Sequence, residues 1–237
     1  MVGLGGGFIA VPVLLLFFHL SPARASGISL GLVVANSAAG SLSYFLQKRI
    51  HIRIGWLVAA GGFPASILGA IVSAHISAQL FDWVLAGLLT TVAVDITFNR
   101  SKRLAGRSED PTLILGMPWY ASLALGFAVG FVSSLFGIGG GVLLVPSLLY
   151  FSDLPAHMIS ATSHFGILLT SPVGLATHWA QNDIDWTYVA PLALGGIIGG
   201  PIGARLSMRL KQTRLIVLVA IAMTIAALAL VLRHFIH

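Results

Sequence analysis

Cysteine is absent from the 237 residues, which excludes disulfides, thiol nucleophiles and thiolate metal sites. Charge is scarce as well: 8% of the residues are Asp, Glu, Lys or Arg, against roughly 25% in soluble domains. The apolar stretches hold no carboxylate pair, and the chain has no Gly-x-Ser-Gly with a paired base and no His-Glu-x-x-His. Hydrolase and zinc-protease chemistry therefore find no motif here. No cofactor or metal is expected, and a membrane-embedded enzyme is the weaker of the function classes.

Apolar sequence is what the chain has in abundance. Hydrophobic residues make up 57% of it, and the mean hydropathy is +0.96. Long apolar stretches cover 24–47, 54–74, 83–98, 119–151, 157–180, 186–204 and 215–232, and a bilayer span needs about 20 such residues. The expected fold class is all-α, a polytopic transmembrane protein. No stretch reads as a cleaved leader, because Met1 opens directly into a glycine-rich motif with no basic flank.

The chain repeats itself. Gly3-Leu4-Gly5-Gly6-Gly7-Phe8-Ile9-Ala10-Val11-Pro12 returns 134 positions later as Gly137-Ile138-Gly139-Gly140-Gly141-Val142-Leu143-Leu144-Val145-Pro146. The same offset matches Ser29 with Ser163, Ser37 with Ser171, Gly40 with Gly174 and Gly61-Gly62 with Gly195-Gly196. Repeats within so apolar a chain mark transporters built around a symmetry axis. The division reads as 1–98 for the first repeat, 99–111 for a cytoplasmic linker and 112–237 for the second.

The formal charge of +6 would suggest nucleic acid in a soluble protein, yet the bases gather in short inter-helix clusters, so no nucleic-acid partner is expected. Lys48, Arg49 and Arg53 form one cluster, Arg100, Lys102, Arg103 and Arg107 a second, and Arg205, Arg209, Lys211 and Arg214 a third. All three are assigned to the cytoplasm by the positive-inside rule. The partner of the basic 48–53 loop is 182–187, Asn-Asp-Ile-Asp-Trp-Thr, which carries two acids. Equivalent loops on opposite sides predict an inverted-topology repeat. The 33 residues 119–151 are too few for two spans and predict a re-entrant hairpin bent at Gly137–Gly141. Its tip lies near mid-membrane, facing an inverted tip from the first repeat.

The candidate site follows from that geometry. A helix starting after each glycine run aims unpaired N–H groups and its positive dipole end at the membrane centre, which suits an anion. Gly5, Gly6 and Gly7 with Gly139, Gly140 and Gly141 are the tip residues; the competing reading is that they only allow close helix packing. On the following helix Ser160, Ser163, His164, Thr170, Ser171, Gly174, Thr177 and His178 share an arc of roughly 140°. The first copy offers Ser26, Ser29, Asn36, Ser37, Gly40, Ser43 and Tyr44. Of these, Ser29, Asn36, Ser37, Ser163, Thr170 and Ser171 are candidate anion ligands, against a reading as polar glue between helices. His164 and His178 are candidate proton relays, against a role as satisfied hydrogen-bonders. Asp95, the one acid inside these apolar stretches, is either an ion-coupling group or a snorkelling one, five residues before Arg100.

The doubled Gly-x-Gly-Gly-Gly-x-x-x-Val-Pro-x-Leu, followed by Ala161-Thr162-Ser163, resembles the TauE/SafE family of bacterial permeases over nearly the whole chain. The resemblance implies a multi-pass transporter of the bacterial inner membrane, exporting sulfite or a related organosulfur anion. It also adds Thr162 to the candidate ligands. Two departures stand out. The first repeat has Gly27-Ile28-Ser29 in place of Ala-Thr-Ser, and nothing in it corresponds to the apolar arm 119–136. The missing arm predicts a natural chain that begins upstream of Met1, with a homodimer packed against the first repeat as the alternative.

Overall fold

Glycine and proline decide where this apolar chain breaks into helices. The structure, a computed structural model, describes residues 5–104, 117–152, 154–209 and 212–236. Among these residues are nine helices and no strand: α1 (Gly7–Phe17), α2 (Pro22–Leu46), α3 (Ile52–His75), α4 (Ala78–Leu104), α5 (Trp119–Phe136), α6 (Gly141–Phe151), α7 (Ala156–Ala180), α8 (Trp186–Arg209) and α9 (Gln212–Ile236). The protein is an all-α polytopic membrane protein. Pro22 opens α2 at its first turn, where a missing N–H costs nothing. Gly137, with φ +65, ends α5 in the left-handed conformation that glycine adopts without a Cβ clash.

The offset of 134 reappears in the helix bounds: α1, α2 and α3 start and stop 134 residues before α6, α7 and α8. Helix α4 runs on into the second basic cluster. Helix α4 continues to Leu104, so residues 99–104 of the expected linker are helical, and 105–111 lie outside the described residues. Arginine, lysine and leucine propensity in that segment carries the helix past the end of its apolar run.

Five described helices are long and apolar enough to span a bilayer: α2, α3, α5, the Ala78–Phe98 part of α4 and the Met158–Ala180 part of α7. Phe17, Leu46 and Phe98 are more than two-thirds exposed, as lipid-facing side chains are. Trp119 and Tyr120 at the start of α5, and Trp179 stacked edge-on against Trp186 between α7 and α8, sit at helix ends as interfacial anchors do.

Because lipid is as apolar as leucine, close packing and hydrogen bonds hold such helices together. The closest pair is α3 with α5. Gly61 lies against the Leu123 carbonyl, Gly62 against Gly126 and Gly130, and Gly69 against Phe131, so the two helices run parallel with their backbones in contact. The corresponding α8 surface is used only in part: Gly196 and Gly200 pack on Leu32 and Asn36 of α2, but Gly195 and Gly199 meet nothing within 4 Å.

Side-chain contacts also give the helix directions. Gly27 faces His178 and Gly40 faces His164, so α2 and α7 are antiparallel. Gly31 faces Val189 and Asn36 faces Gly200, so α2 and α8 are parallel. His51 meets Thr162 and Gly62 meets Thr170, so α3 and α7 are parallel. Asp82 meets Arg233, so α4 and α9 are antiparallel. One apolar core joins α1, α4 and α9 to the end of α5, with Phe81 and Phe136 at 4.9 Å; a second gathers α3, α5, α6 and α7 around Val58, Val129 and Leu148.

Candidate functional site

Both glycine runs arrive at one place. A Cβ built on Gly5 would stand 3.4 Å from the Gly139 carbonyl oxygen, and one on Gly7 would overlap the Gly137 carbonyl. Positive φ falls on Gly5 (+76), Gly6 (+82), Gly137 (+65) and Gly139 (+68). Gly140 has φ −29; what keeps a side chain out there is Val129, 2.5 Å from the Cβ position. Gly6 is the open member, with only a Leu32 methyl at 3.9 Å.

The helical ladders begin just beyond. In α1 the N–H groups of Ile9 and Ala10 donate to the Gly6 carbonyl, and in α6 those of Leu143 and Leu144 donate to Gly140. The N–H groups of Gly7, Phe8, Gly141 and Val142 thus stand ahead of both ladders, where a helix presents positive partial charge. The Gly140 N–H donates to Ser133 Oγ at 2.7 Å, a buried contact that fixes the second run from α5.

Helix α2 ties the two runs to each other. Ser29 Oγ donates to the Gly137 carbonyl at 2.7 Å and lies 3.5 Å from the Gly7 carbonyl. Ser26 Oγ donates to Leu135 O at 2.9 Å, and Asn36 Nδ2 donates to Gly5 O at 3.3 Å. Ser37 turns back on its own helix, to Val34 O at 3.1 Å.

The α7 residues divide. Ser163 and Ser171 are buried and their hydroxyls have no hydrogen-bond partner. Thr162 is not among them: its Oγ1 accepts from His51 N at 3.0 Å, completing the start of α3, where His51 Nδ1 accepts from Ile54 N. Thr170 bonds back to Gly166 O at 3.1 Å and sets its methyl against Gly62. These two threonines serve the α3–α7 contact, Thr170 from the polar arc and Thr162 from beside it.

The two histidines lie apart, separated by about 21 Å along the helix at 1.5 Å per residue. His164 Nδ1 pairs with Ser160 O at 3.1 Å, and its ring lies against Gly40 and edge-on to Tyr44. It lines a cavity of about 470 Å³ with Gly5, Gly6, Leu32, Asn36 and Gly196. Ligand sites of that size are mostly apolar with a few placed polar groups, and here those groups are Asn36, His164 and the glycine backbone. His178 is at the far end, with Nε2 3.1 Å from Ser134 O and Nδ1 3.8 Å from Asp183 Oδ2. Asp95 on α4 accepts from the Tyr150 hydroxyl on α6, and the side chain of Arg100 lies outside the described residues.

Sequence reasoning missed three elements. Ser133, which holds Gly140, is signalled only by its place a few residues before the glycine bend. Asp82 is buried and paired with Arg233 at 3.4 Å; it precedes the apolar stretch beginning at residue 83 and so escapes a search confined to such stretches. Asp183 reads in sequence as loop charge alone.

The profile of the family described as "Sulfite exporter TauE/SafE" matches residues 1–230. A relative from Bacillus subtilis named "Probable membrane transporter protein YunE" is 29% identical, the match covering 92% of this chain and 86% of the relative. A "Probable membrane transporter protein" of Xylella fastidiosa is 30% identical, covering 90% and 81%. One from Methanocaldococcus jannaschii, "Probable membrane transporter protein MJ0441", is 27% identical, covering 90% and 80%. No solved structure matches. With the doubled glycine run and the spanning helices, the match across residues 1–230 settles the assignment: the chain belongs to the TauE/SafE family of membrane transporters.

Proposed function

We propose that the protein moves a small sulfur-containing anion, such as sulfite or a sulfonate, out of the cell by alternating access. The observation that carries this reading is the meeting of the two glycine runs, which brings the starts of α1 and α6 to one point beside a cavity lined by Asn36 and His164. Converging helix N-termini favour an anion, and the family description names sulfite. The candidate ligands are the Gly5–Gly7 and Gly139–Gly141 backbones, Ser163, Ser171 and Asn36. Ser29 reaches the site through the Gly137 carbonyl, while Ser37 is bonded within its own helix.

The repeats are inferred to be inverted across the membrane, with the glycine bends as re-entrant tips near its middle. The antiparallel directions of α2 against α7 and of α4 against α9 support this, since helices related by an axis in the membrane plane run oppositely. The basic 48–53 loop is then cytoplasmic and the acidic 182–187 loop outside.

Reconstituted vesicles loaded with labelled sulfite test the reading. Efflux above an empty-vesicle blank, competed by sulfonates, is the expected result; a rate equal to the blank overturns it. Uptake without export would make the protein an importer, and unsaturable flux a channel. Cysteines at Ser77 and Asn182 should label from outside and one at Lys48 from inside; inside labelling at Asn182 overturns the inverted arrangement.

A further inference from the structure

At the end of α7 two acceptors face each other without a proton between them. Ser134 O, a carbonyl, can only accept, so His178 Nε2 carries the hydrogen of that 3.1 Å bond. In the neutral ring this leaves Nδ1 as a lone pair. Across from it, 3.8 Å away, stands Asp183 Oδ2, which is also an acceptor when ionised. Neither atom has a hydrogen-bond partner, and the His178 side chain is fully buried. Leaving such atoms unsatisfied is costly, and one added proton on Nδ1 converts the pair into donor and acceptor.

The surroundings restrict what can fill the gap. Gly27 of α2 packs on the His178 Cβ and on the Asp183 carbonyl, closing that side. From α5 comes Ser134, neutral, with its hydroxyl unpartnered. From the loop before α8 come Asp183 and Asp185, the latter occupied with Thr187 N at 2.9 Å. Arg24, one turn before Gly27 on α2, is exposed. A nitrogen lone pair is a poor ligand for sodium, whereas it suits a proton.

We propose that His178 and Asp183 form a one-proton site that couples anion movement to proton movement. The step is a simple transfer: an N–H bond forms at Nδ1 from a hydronium of the outer solution, the carboxylate stays ionised, and the loaded pair closes into a charge-assisted hydrogen bond. Because Ser134 is three residues before Gly137 on the arm leading to the second glycine run, and Ser26 beside Gly27 bonds Leu135 O on that arm, closing the pair pulls on the run itself. This inference rests on the transport reading for its coupling, though not for the proton site.

Two measurements separate these. The first is the ¹⁵N ring spectrum of His178 in nanodiscs from about pH 4.5 to about pH 8.5. One protonation at Nδ1, lost from the spectrum in His178→Gln, is expected; a ring that stays neutral throughout overturns the site. The second is vesicle proton flux driven by a sulfite gradient. His178→Gln and Asp183→Asn should keep sulfite–sulfite exchange yet lose at least about tenfold of the accompanying proton flux. Asp183→Asn can supply an amide N–H to Nδ1, so it is satisfied without a proton and should fold. Wild-type proton flux in both variants, or dependence on sodium in place of protons, overturns the coupling. Absence of sulfite exchange in the wild type counts against the anion reading alone, and the ring spectrum still decides the proton site.

Discussion

Helices α2 and α7 occupy the same place in the two copies of the repeat, and each follows a glycine run with a stripe of small polar residues, but they spend those residues differently. In α2, Ser26, Ser29 and Asn36 all donate to backbone carbonyls on or next to the glycine runs. In α7, Thr162 and Thr170 are taken up at α3, while Ser163 and Ser171 are buried with no partner. Copies that share a sequence pattern have diverged in role: α2 clamps, and α7 keeps hydrogen-bonding capacity in reserve.

The comparison breaks most visibly at the clamp's own anchor. Gly7→Val places a branched side chain on the Gly137 carbonyl, an overlap expected to cost about 3 kcal/mol. Gel filtration should show loss of folded protein together with loss of sulfite flux. Gly6→Val, in open space but at φ +82, should still fold; if both variants behave alike, the clamp is not where α2 places it.

Next is Ser29→Ala, which leaves the buried Gly137 carbonyl without its donor and should lower stability by about 1–3 kcal/mol. Thermal unfolding in detergent checks it. Its repeat mate should do the reverse. Ser163→Ala removes an unpartnered hydroxyl, so stability should change by less than about 0.5 kcal/mol while sulfite affinity falls about tenfold. Equal stability losses in the two variants would erase the distinction between the helices.

The smallest effect is expected at Thr162. Thr162→Val removes the acceptor for His51 N and should cost about 1 kcal/mol of stability with sulfite affinity unchanged. A large affinity loss there would return Thr162 to the anion site.

How much of this was legible follows from the same residues. Glycine runs and prolines set helix ends through backbone sterics, which act locally, so the 134-residue offset in sequence reappears in the bounds of α1 to α3 and α6 to α8. Partner choice is not local. A polar arc computed from 100° per residue says that Ser163 and Thr170 share a face, but not that α3 takes the threonine and leaves the serine. Likewise a Gly-Gly-Gly run does not say which member turns left-handed: Gly139 does and Gly140 does not. The Asp82–Arg233 pair joins residues 151 positions apart, beyond any spacing rule.

The seam between α3 and α5 has a mechanical consequence. Where Gly61, Gly62, Gly69, Gly126 and Gly130 bring two main chains together, there are no side-chain rotamers to switch and no gap for a lipid tail or a water file. The two helices behave as one thick beam. A beam cannot shear along its length without prising carbonyls off α-carbons, so whatever tilts during a transport cycle must tilt α3 and α5 together, carrying the Ser133–Gly140 tether with them.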